Sequence, residues 1–461
     1  MLSLDSVYMA LPARLQDFAL SFYGYRLKSD RYGAGFTQCL NEVKDLSIGF
    51  EDSRFVTDYQ GNRLFKLLEY AKKNVPYYQD CYENLTLRPN MSVADMLKSI
   101  PILDKDIVRR SPELFKARLA ERDHVEIQTS GSSGAPLNIS CSKNALKLNY
   151  AHFENFLLKC GVSSLDRSAT FAGRKLFSNG ERKRFCRINY AMNTLLCSSY
   201  HISSSTAAAY MADLERWAPE FIDSYPSAIY ELSRLALSQG IRYRGRLKCI
   251  VTSSETLHEH QRVFLEGYFG CPVYDQYGQA EMAGFLAQYG TIEHYIANPF
   301  YGIAEVLGED GRHVLPGESG ALVLTGFVNE GMPLIRYRIG DRVTVLDDSS
   351  ALAGSHALKI RSIEGRQDDV VTLSDGRRVG RLDPAFKGVV GIVECQIVQE
   401  AVDLLVLNVV LDSNSGEEPI NRLKGNLRER LDDRIEFKVV KCDEIPRNAA
   451  GKFRSVVSKV L

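Results

Sequence analysis

Apolar side chains return every three or four positions through 62–73, 143–159, 205–217 and 227–238, and this spacing predicts an amphipathic helix for each stretch. Short β-branched runs at 247–252, 272–274 and 320–325 predict strands. Strands that alternate with helices predict α/β layers. Beyond Gly365 the pattern changes. Asp375-Gly376 stands between Val370-Val371-Thr372-Leu373 and Arg377-Arg378-Val379, which predicts a hairpin. After it, 393–399 and 404–411 read as strands, 420–431 as a helix and 435–440 as a final strand. The fold class expected is therefore α/β: a large N-terminal domain of layered sheets and helices over 1–364, then a small α+β domain over 365–461. No internal repeat or low-complexity tract interrupts either part.

Composition narrows the field. At 461 residues the chain is too long for one ordinary domain, and 45% hydrophobic residues suffice for a large core. Lys+Arg and Asp+Glu balance at 57 each, which argues against a nucleic-acid partner. No apolar stretch approaches the roughly 20 residues of a membrane helix, so no membrane insertion is expected. The start, Met1 to Arg14, lacks a basic stretch followed by an apolar core. A soluble, cytoplasmic protein is expected. Ten cysteines are scattered without a C-x-x-C pair and read as reduced, mostly buried thiols. Cys249, His258 and His294 remain open as a zinc-binding set.

The candidate chemistry begins at Thr129-Ser130-Gly131-Ser132-Ser133-Gly134-Ala135-Pro136. Two glycines let the backbone approach an anion closely, and the hydroxyls between them can donate to it. That suits a loop holding a polyphosphate. Alone, the same composition fits a flexible linker. Four further segments follow in order: Tyr277-Gly278-Gln279-Ala280-Glu281, Arg336-Tyr337-Arg338-Ile339-Gly340-Asp341, Gly365-Arg366-Gln367-Asp368-Asp369 and Pro446-Arg447-Asn448-Ala449-Ala450-Gly451-Lys452. Singly, Glu281 reads as a helix-start carboxylate, Asp341 as a turn cap and Lys452 as an exposed lysine.

Taken together in this order, the five segments resemble the signature of the adenylate-forming ligases, the superfamily of acyl-CoA synthetases, peptide-synthetase adenylation domains and luciferases. Leu67-Leu68-Glu69-Tyr70-Ala71-Lys72-Lys73-Asn74-Val75-Pro76-Tyr77-Tyr78 is similar to the N-terminal region of phenylacetate-CoA ligases and of capsule-biosynthesis proteins of the CapK type. Ile100-Pro101-Ile102-Leu103-Asp104-Lys105 and Ser224-Tyr225-Pro226-Ser227 fit the same group. Gly451-Lys452-Phe453-Arg454-Ser455-Val456 leans towards the CapK branch. The resemblance runs from about Leu64 onwards, and the residues before it carry no legible motif.

The resemblance implies a site. Thr129, Ser130, Gly131, Ser132, Ser133 and Gly134 would hold the β- and γ-phosphates of ATP. Glu281 would bind Mg²⁺ and, with Lys452, serve catalysis. Tyr277, Gly278 and Gln279 would lie at the nucleotide, with Ser254 and Glu255 lining the base pocket. Asp341 would accept hydrogen bonds from the ribose, and Arg366 would help hold the nucleotide. Asp368 would be the hinge of a mobile lid that delivers Lys452 to the carboxylate and α-phosphate. Tyr225, Pro226 and Ser227 would line the substrate pocket.

Two departures bear on rate. Ala135 and Leu137 stand where many family loops carry lysines, and Ala280 replaces a Thr or Ser. A basic group, Arg174, Lys175, Arg182, Lys183, Arg184 and Arg187, lies between the phosphate loop and Tyr277. Facing the pocket, it would favour a polar or anionic acid such as a sugar acid or a phosphorylated intermediate; facing solvent, it is a basic loop. Three readings stay open. The first is an acid:CoA ligase. The second is an amide-forming ligase of surface-polysaccharide biosynthesis, and the third is a non-catalytic nucleotide-binding subunit. The acceptor would be CoA, an amine or a separate carrier protein.

Overall fold

Five short parallel strands form the centre of the computed structural model, in the order Thr194–Ser198, Ser168–Ala172, Phe221–Ser224, Cys249–Ser253 and Val273–Gly278. The structure describes residues 8 and 11–460, except 89–90, 119–123, 129–136, 175, 177–184, 347–356, 365–369, 380–381, 387, 413–414 and 446–453. Parallel neighbours need crossovers. The helices Ala207–Trp217, Pro226–Ser238 and Glu259–Phe269 supply three of them and bury Ile222, Ile229, Leu232, Ile250 and Leu265 on one face. The opposite face lies under the helices Ala13–Tyr32 and Lys143–Lys159.

Beyond Val273–Gly278 the sheet continues antiparallel through Phe285–Ala287, Tyr295–Ala297, Lys359–Glu364, Tyr337–Val345, Ser319–Gly326 and Gly302–Leu307. With Leu103–Asp104 beside Tyr337–Val345 it has 13 strands. At its other end lies Cys186–Asn189, an edge strand. The helix Ala13–Tyr32 covers that edge. Ile188 N donates to Asp17 Oδ1 at 3.0 Å, Tyr190 N to Ser21 Oγ at 3.0 Å, and Arg187 Nε to Gln16 Oε1 at 2.7 Å. Residues without a legible motif thus complete the large sheet.

The C-terminal part is a small α+β unit. Its sheet runs Glu436–Lys441, Leu404–Leu411, Ile392–Ala401, Val456–Ser458, and the helix Glu418–Arg428 packs Ile420, Leu423 and Leu427 against Leu405 and Leu407. The predicted hairpin is present as Val371–Thr372 with Arg378–Val379, turned at Gly376 with φ +78°. One expectation needs correcting: 435–440 is not the final strand. Val456–Ser458 follows and pairs in parallel with Ile392–Ala401. Three residues carry too little pattern to stand out in the sequence.

The predicted helices occur as Ser53–Asn74, Lys143–Lys159, Ala207–Trp217 and Pro226–Ser238. The first starts earlier than its apolar stripe because Asp52 caps it, accepting from Phe55 N at 3.0 Å.

Candidate active site

A cavity of about 1480 Å³ opens at the carboxyl ends of the parallel strands, where open α/β sheets bind ligands. Each wall follows from how a strand ends. Cys249–Ser253 runs into Ser254, which sits in the left-handed region at φ +73°. Glu255 comes next, and its Oε2 accepts from Ser227 N at 3.0 Å. Its carboxylate therefore caps the helix that begins at Pro226, a favourable place for negative charge.

Val273–Gly278 runs into a turn that buries Glu281, which is 4% exposed. Lys105 Nζ lies 2.9 Å from Glu281 Oε1, and the Tyr337 hydroxyl donates to the same oxygen at 3.4 Å. Tyr277 donates through its hydroxyl to Asp341 Oδ2 at 2.6 Å. Asp341 follows Gly340, whose φ of +99° lets the strand kink there. Gln279 Oε1 accepts from Gly284 N at 3.3 Å, while Gln279 Nε2 and Gln276 Oε1 are buried without a hydrogen-bond partner among the described residues. Two orphaned amide atoms beside a cavity fit a ligand with polar edges.

The structure brings Ser227, Ser254, Glu255, Tyr277, Gly278, Gln279, Glu281 and Asp341 to this one cavity. Tyr225 and Pro226 do not border it. Pro226 is buried as the first residue of its helix, and Tyr225 packs against the apolar face of the sheet. Thr129, Ser130, Gly131, Ser132, Ser133, Gly134, Arg366, Asp368 and Lys452 lie outside the described residues. Arg454 is described and borders the cavity.

The basic group splits. Arg174 borders the cavity, whereas Arg187 is buried and bonded to Gln16 and the Cys186 carbonyl. Lys175, Arg182, Lys183 and Arg184 lie outside the described residues. Cys249, His258 and His294 do not gather. Cys249 is buried in its strand, where burial pushes the thiol up to about 12. Among the described residues no group of three or more His, Cys, Asp or Glu could hold a metal ion.

Sequence reasoning missed Lys105 as the partner of Glu281, although it sits in the Ile100–Lys105 run that carried part of the resemblance. It also missed Arg31, Tyr150 and Asp223, which line the inner end of the cavity. Their positions depend on how two helices cross the sheet, and no motif marks them. Burial pushes Asp223 up to about 6 against the pull of Arg174. Burial also pushes Asp275 up to about 6, even though Thr252 and Tyr295 donate to it at 2.5 and 2.6 Å.

Known proteins resemble this chain over most of its length. Residues 371–459 match the family model of the CapK C-terminal domain. Protein CapK of Staphylococcus aureus is 24% identical over 99% of this chain and 100% of its own length. Phenylacetate-coenzyme A ligase of Pseudomonas putida is 23% identical over 68% of this chain and 71% of its own. Crystal structures of 2-hydroxyisobutyryl-CoA ligase share the fold. In the thioesterification state the TM-score is 0.54 at 20% identity, with 87% of this chain and 89% of that one covered. In the postadenylation state it is 0.51 at 19% identity, covering 87% and 89%. Over nearly its whole length the chain is thus similar to protein CapK, over about two thirds of it to a phenylacetate-coenzyme A ligase, and in fold to 2-hydroxyisobutyryl-CoA ligase.

Proposed function

We propose that the protein joins a carboxylic acid to ATP, giving an acyl-AMP and pyrophosphate, and then passes the acyl group to an acceptor. The observation that carries this reading is the meeting of Tyr277, Glu281, Asp341, Ser254 and Glu255 round one cavity at the strand ends. A carboxylate is a poor acyl donor because oxide is a poor leaving group. In the first step a carboxylate oxygen bonds to the α-phosphorus while the bond to the β-phosphate oxygen breaks. In the second, a thiol or amine bonds to the carbonyl carbon, AMP leaves with the bonding electrons, and the acceptor gives up its proton.

The residues then have distinct tasks. Asp341 accepts from the ribose hydroxyls, and the Tyr277 hydroxyl at 2.6 Å fixes its orientation. Gly278 lies beside the adenine, where a side chain would crowd Gln276: an added Cβ would approach its Oε1 to 3.3 Å. Glu255, held by Ser227 N, steadies the wall of the base pocket with Ser254. Glu281 suits Mg²⁺, which takes one or two carboxylates together with substrate phosphates, so a single buried oxygen donor is a fitting donor set. The metal would neutralise charge on the phosphates. Lys105 offers a second cation beside that carboxylate, in a chain whose phosphate loop carries Ala135 and Leu137.

Thr129 to Gly134 would grip the leaving pyrophosphate. Arg366, Asp368 and Lys452 belong to a lid that we divide from the large domain after Glu364, with Asp368 as its hinge. ATP, Mg²⁺ and an acid are the working set, which fits a cytoplasmic setting. CoA is the first acceptor to consider. A second reading is a ligase of surface-polysaccharide biosynthesis in which an amine takes the acyl group to give an amide; the match of 371–459 to the CapK C-terminal domain bears on that setting and leaves the acceptor to experiment.

The deciding experiment is pyrophosphate release with ATP, Mg²⁺ and a panel of aryl, sugar and hydroxy acids, followed by CoA and amines as acceptors. Release that depends on one acid supports the reading. ATP binding without release from any acid would replace it with a non-catalytic nucleotide-binding subunit.

A further inference from the structure

The inner end of the cavity is a chamber between the sheet and two helices. The sheet contributes Ser168, Thr170, Thr194 and Asp223 from one face; Leu27, Arg31 and Tyr32 come from the helix Ala13–Tyr32, and Asn149 and Tyr150 from Lys143–Lys159. Arg174 stands just past the strand Ser168–Ala172. An aryl-acid pocket would be mostly apolar. This one sets hydroxyls, amides and charges among the apolar side chains of Leu27, Leu196 and Phe221.

The Arg31 guanidinium lies over the Tyr150 ring at 4.4 Å from its centroid. Neither Arg31 nor Arg174 makes a side-chain hydrogen bond or ion pair among the described residues, whereas Ser168 and Thr194 satisfy one another at 2.9 Å. Surrounding protein atoms and then the like charge of Arg31 pull the Arg174 pKa down, although the Arg174 side chain keeps access to solvent. Asp223 supplies the nearby negative charge but forms no ion pair with either. Among the described residues these two cations border the cavity beside one carboxylate without a hydrogen-bond partner, Asp223; Glu154, near Tyr32, is already held by Ser163 and Ser164, so an anion entering from solvent finds two guanidinium groups open to it.

We propose that this chamber receives the part of the acid remote from the reacting carboxylate, and that this part carries a second anionic group held by Arg31 and Arg174. The proposal rests on the adenylation reading for the identity of the acid site. A guanidinium binds carboxylate or phosphate through paired N–H bonds, so either a dicarboxylate or a phosphorylated acid fits. Tyr150 and the hydroxyl-bearing strand residues suit a hydroxylated carbon frame between the two anionic ends.

The test is direct binding by titration calorimetry to the 461-residue chain, without ATP, using gluconate, glucarate, phosphogluconate and phenylacetate. Gluconate and glucarate differ only in the second carboxylate. Glucarate or phosphogluconate should bind about 10-fold or more tighter than gluconate and phenylacetate. Which of the two binds more tightly identifies the anion. Arg174→Gln and Arg31→Gln should each remove most of that preference by weakening the dianions far more than gluconate, with the melting temperature unchanged, a split that a merely structural role would not give. Equal binding of gluconate and the dianions, no binding of either dianion at millimolar concentration, or a preference that survives both substitutions would overturn the proposal. ATP binding and pyrophosphate release on the same samples report separately on adenylation, so either idea can fail alone.

Discussion

The two faces of the parallel sheet are built from the same five strands and have opposite characters. One face carries Ala169, Phe171, Ile222, Ile250 and Val273 against three helices, and its apolar residues are almost completely removed from water. The other carries Ser168, Thr170, Thr194 and Asp223 against two helices that stand off and leave a chamber. Each face has one aspartate pushed up to about 6. Asp275, which also reaches the cavity at its strand end, holds two hydroxyl donors, while Asp223 on the open face accepts no hydrogen bond among the described residues. Alternation along a strand lets one sheet have both a core and a binding surface. Stability should therefore reside on one side and chemistry on the other.

The largest expected effect is on chemistry. Lys452→Ala should lower adenylate formation by about 10³-fold, roughly 4 kcal/mol, with ATP affinity and melting temperature nearly unchanged. Isotope exchange between pyrophosphate and ATP measures it, and wild-type exchange would remove the assigned role.

On the packed face, Leu232→Ala should cost about 3 kcal/mol of stability by leaving a cavity, without changing turnover per folded molecule. Thr170→Ala, on the open face, should cost under about 0.5 kcal/mol. Equal losses in denaturant melts would break the contrast between the faces.

The two aspartates give a pH test. A carboxyl raised by folding contributes stability that is fully present below its unfolded pKa of about 4 and is lost as pH rises through the folded value. For Asp275 that window runs to about 6. Asp275→Asn should narrow the difference in melting temperature between the two ends of the window. Asp223→Asn should narrow it less, because Asp223 is only half-buried. An unchanged difference in the Asp275 variant would count against burial as the cause.

A modest effect on binding is expected of Tyr277→Phe. Losing one charge-assisted hydrogen bond to Asp341 should raise the KM for ATP about fivefold, close to 1 kcal/mol, and leave kcat alone. A drop in kcat instead would show that the hydroxyl acts on the reacting groups.

How much of this could be read from the sequence differed by region. Motif residues were legible as a set that borders one cavity: Gly278 ends the strand Val273–Gly278, Glu281 lies in the turn after it, and Asp341 lies within the strand Tyr337–Val345 and is bonded to Tyr277. The helix Lys143–Lys159 was found to the residue, since its apolar stripe and its Ser142 cap fall within one stretch. Arg31 and Asp223 lie far apart in sequence and meet only because a helix crosses a sheet, which no local period encodes. Arg187 shows the reverse. It belonged to a suggestive basic group, yet Gln16 holds it inside the fold.

One arrangement at the sheet margin has a practical consequence. Asp17 and Ser21 occupy the outward-facing amides of Ile188 and Tyr190. A chain trimmed of its first thirty or so residues would therefore present a bare strand, ready to add the strand of another molecule. Such a product would also have lost the roof of its acid chamber. It should be recovered as polymer before any loss of turnover could be measured, and the leading helix is best regarded as the segment that keeps this large sheet monomeric in its pairing.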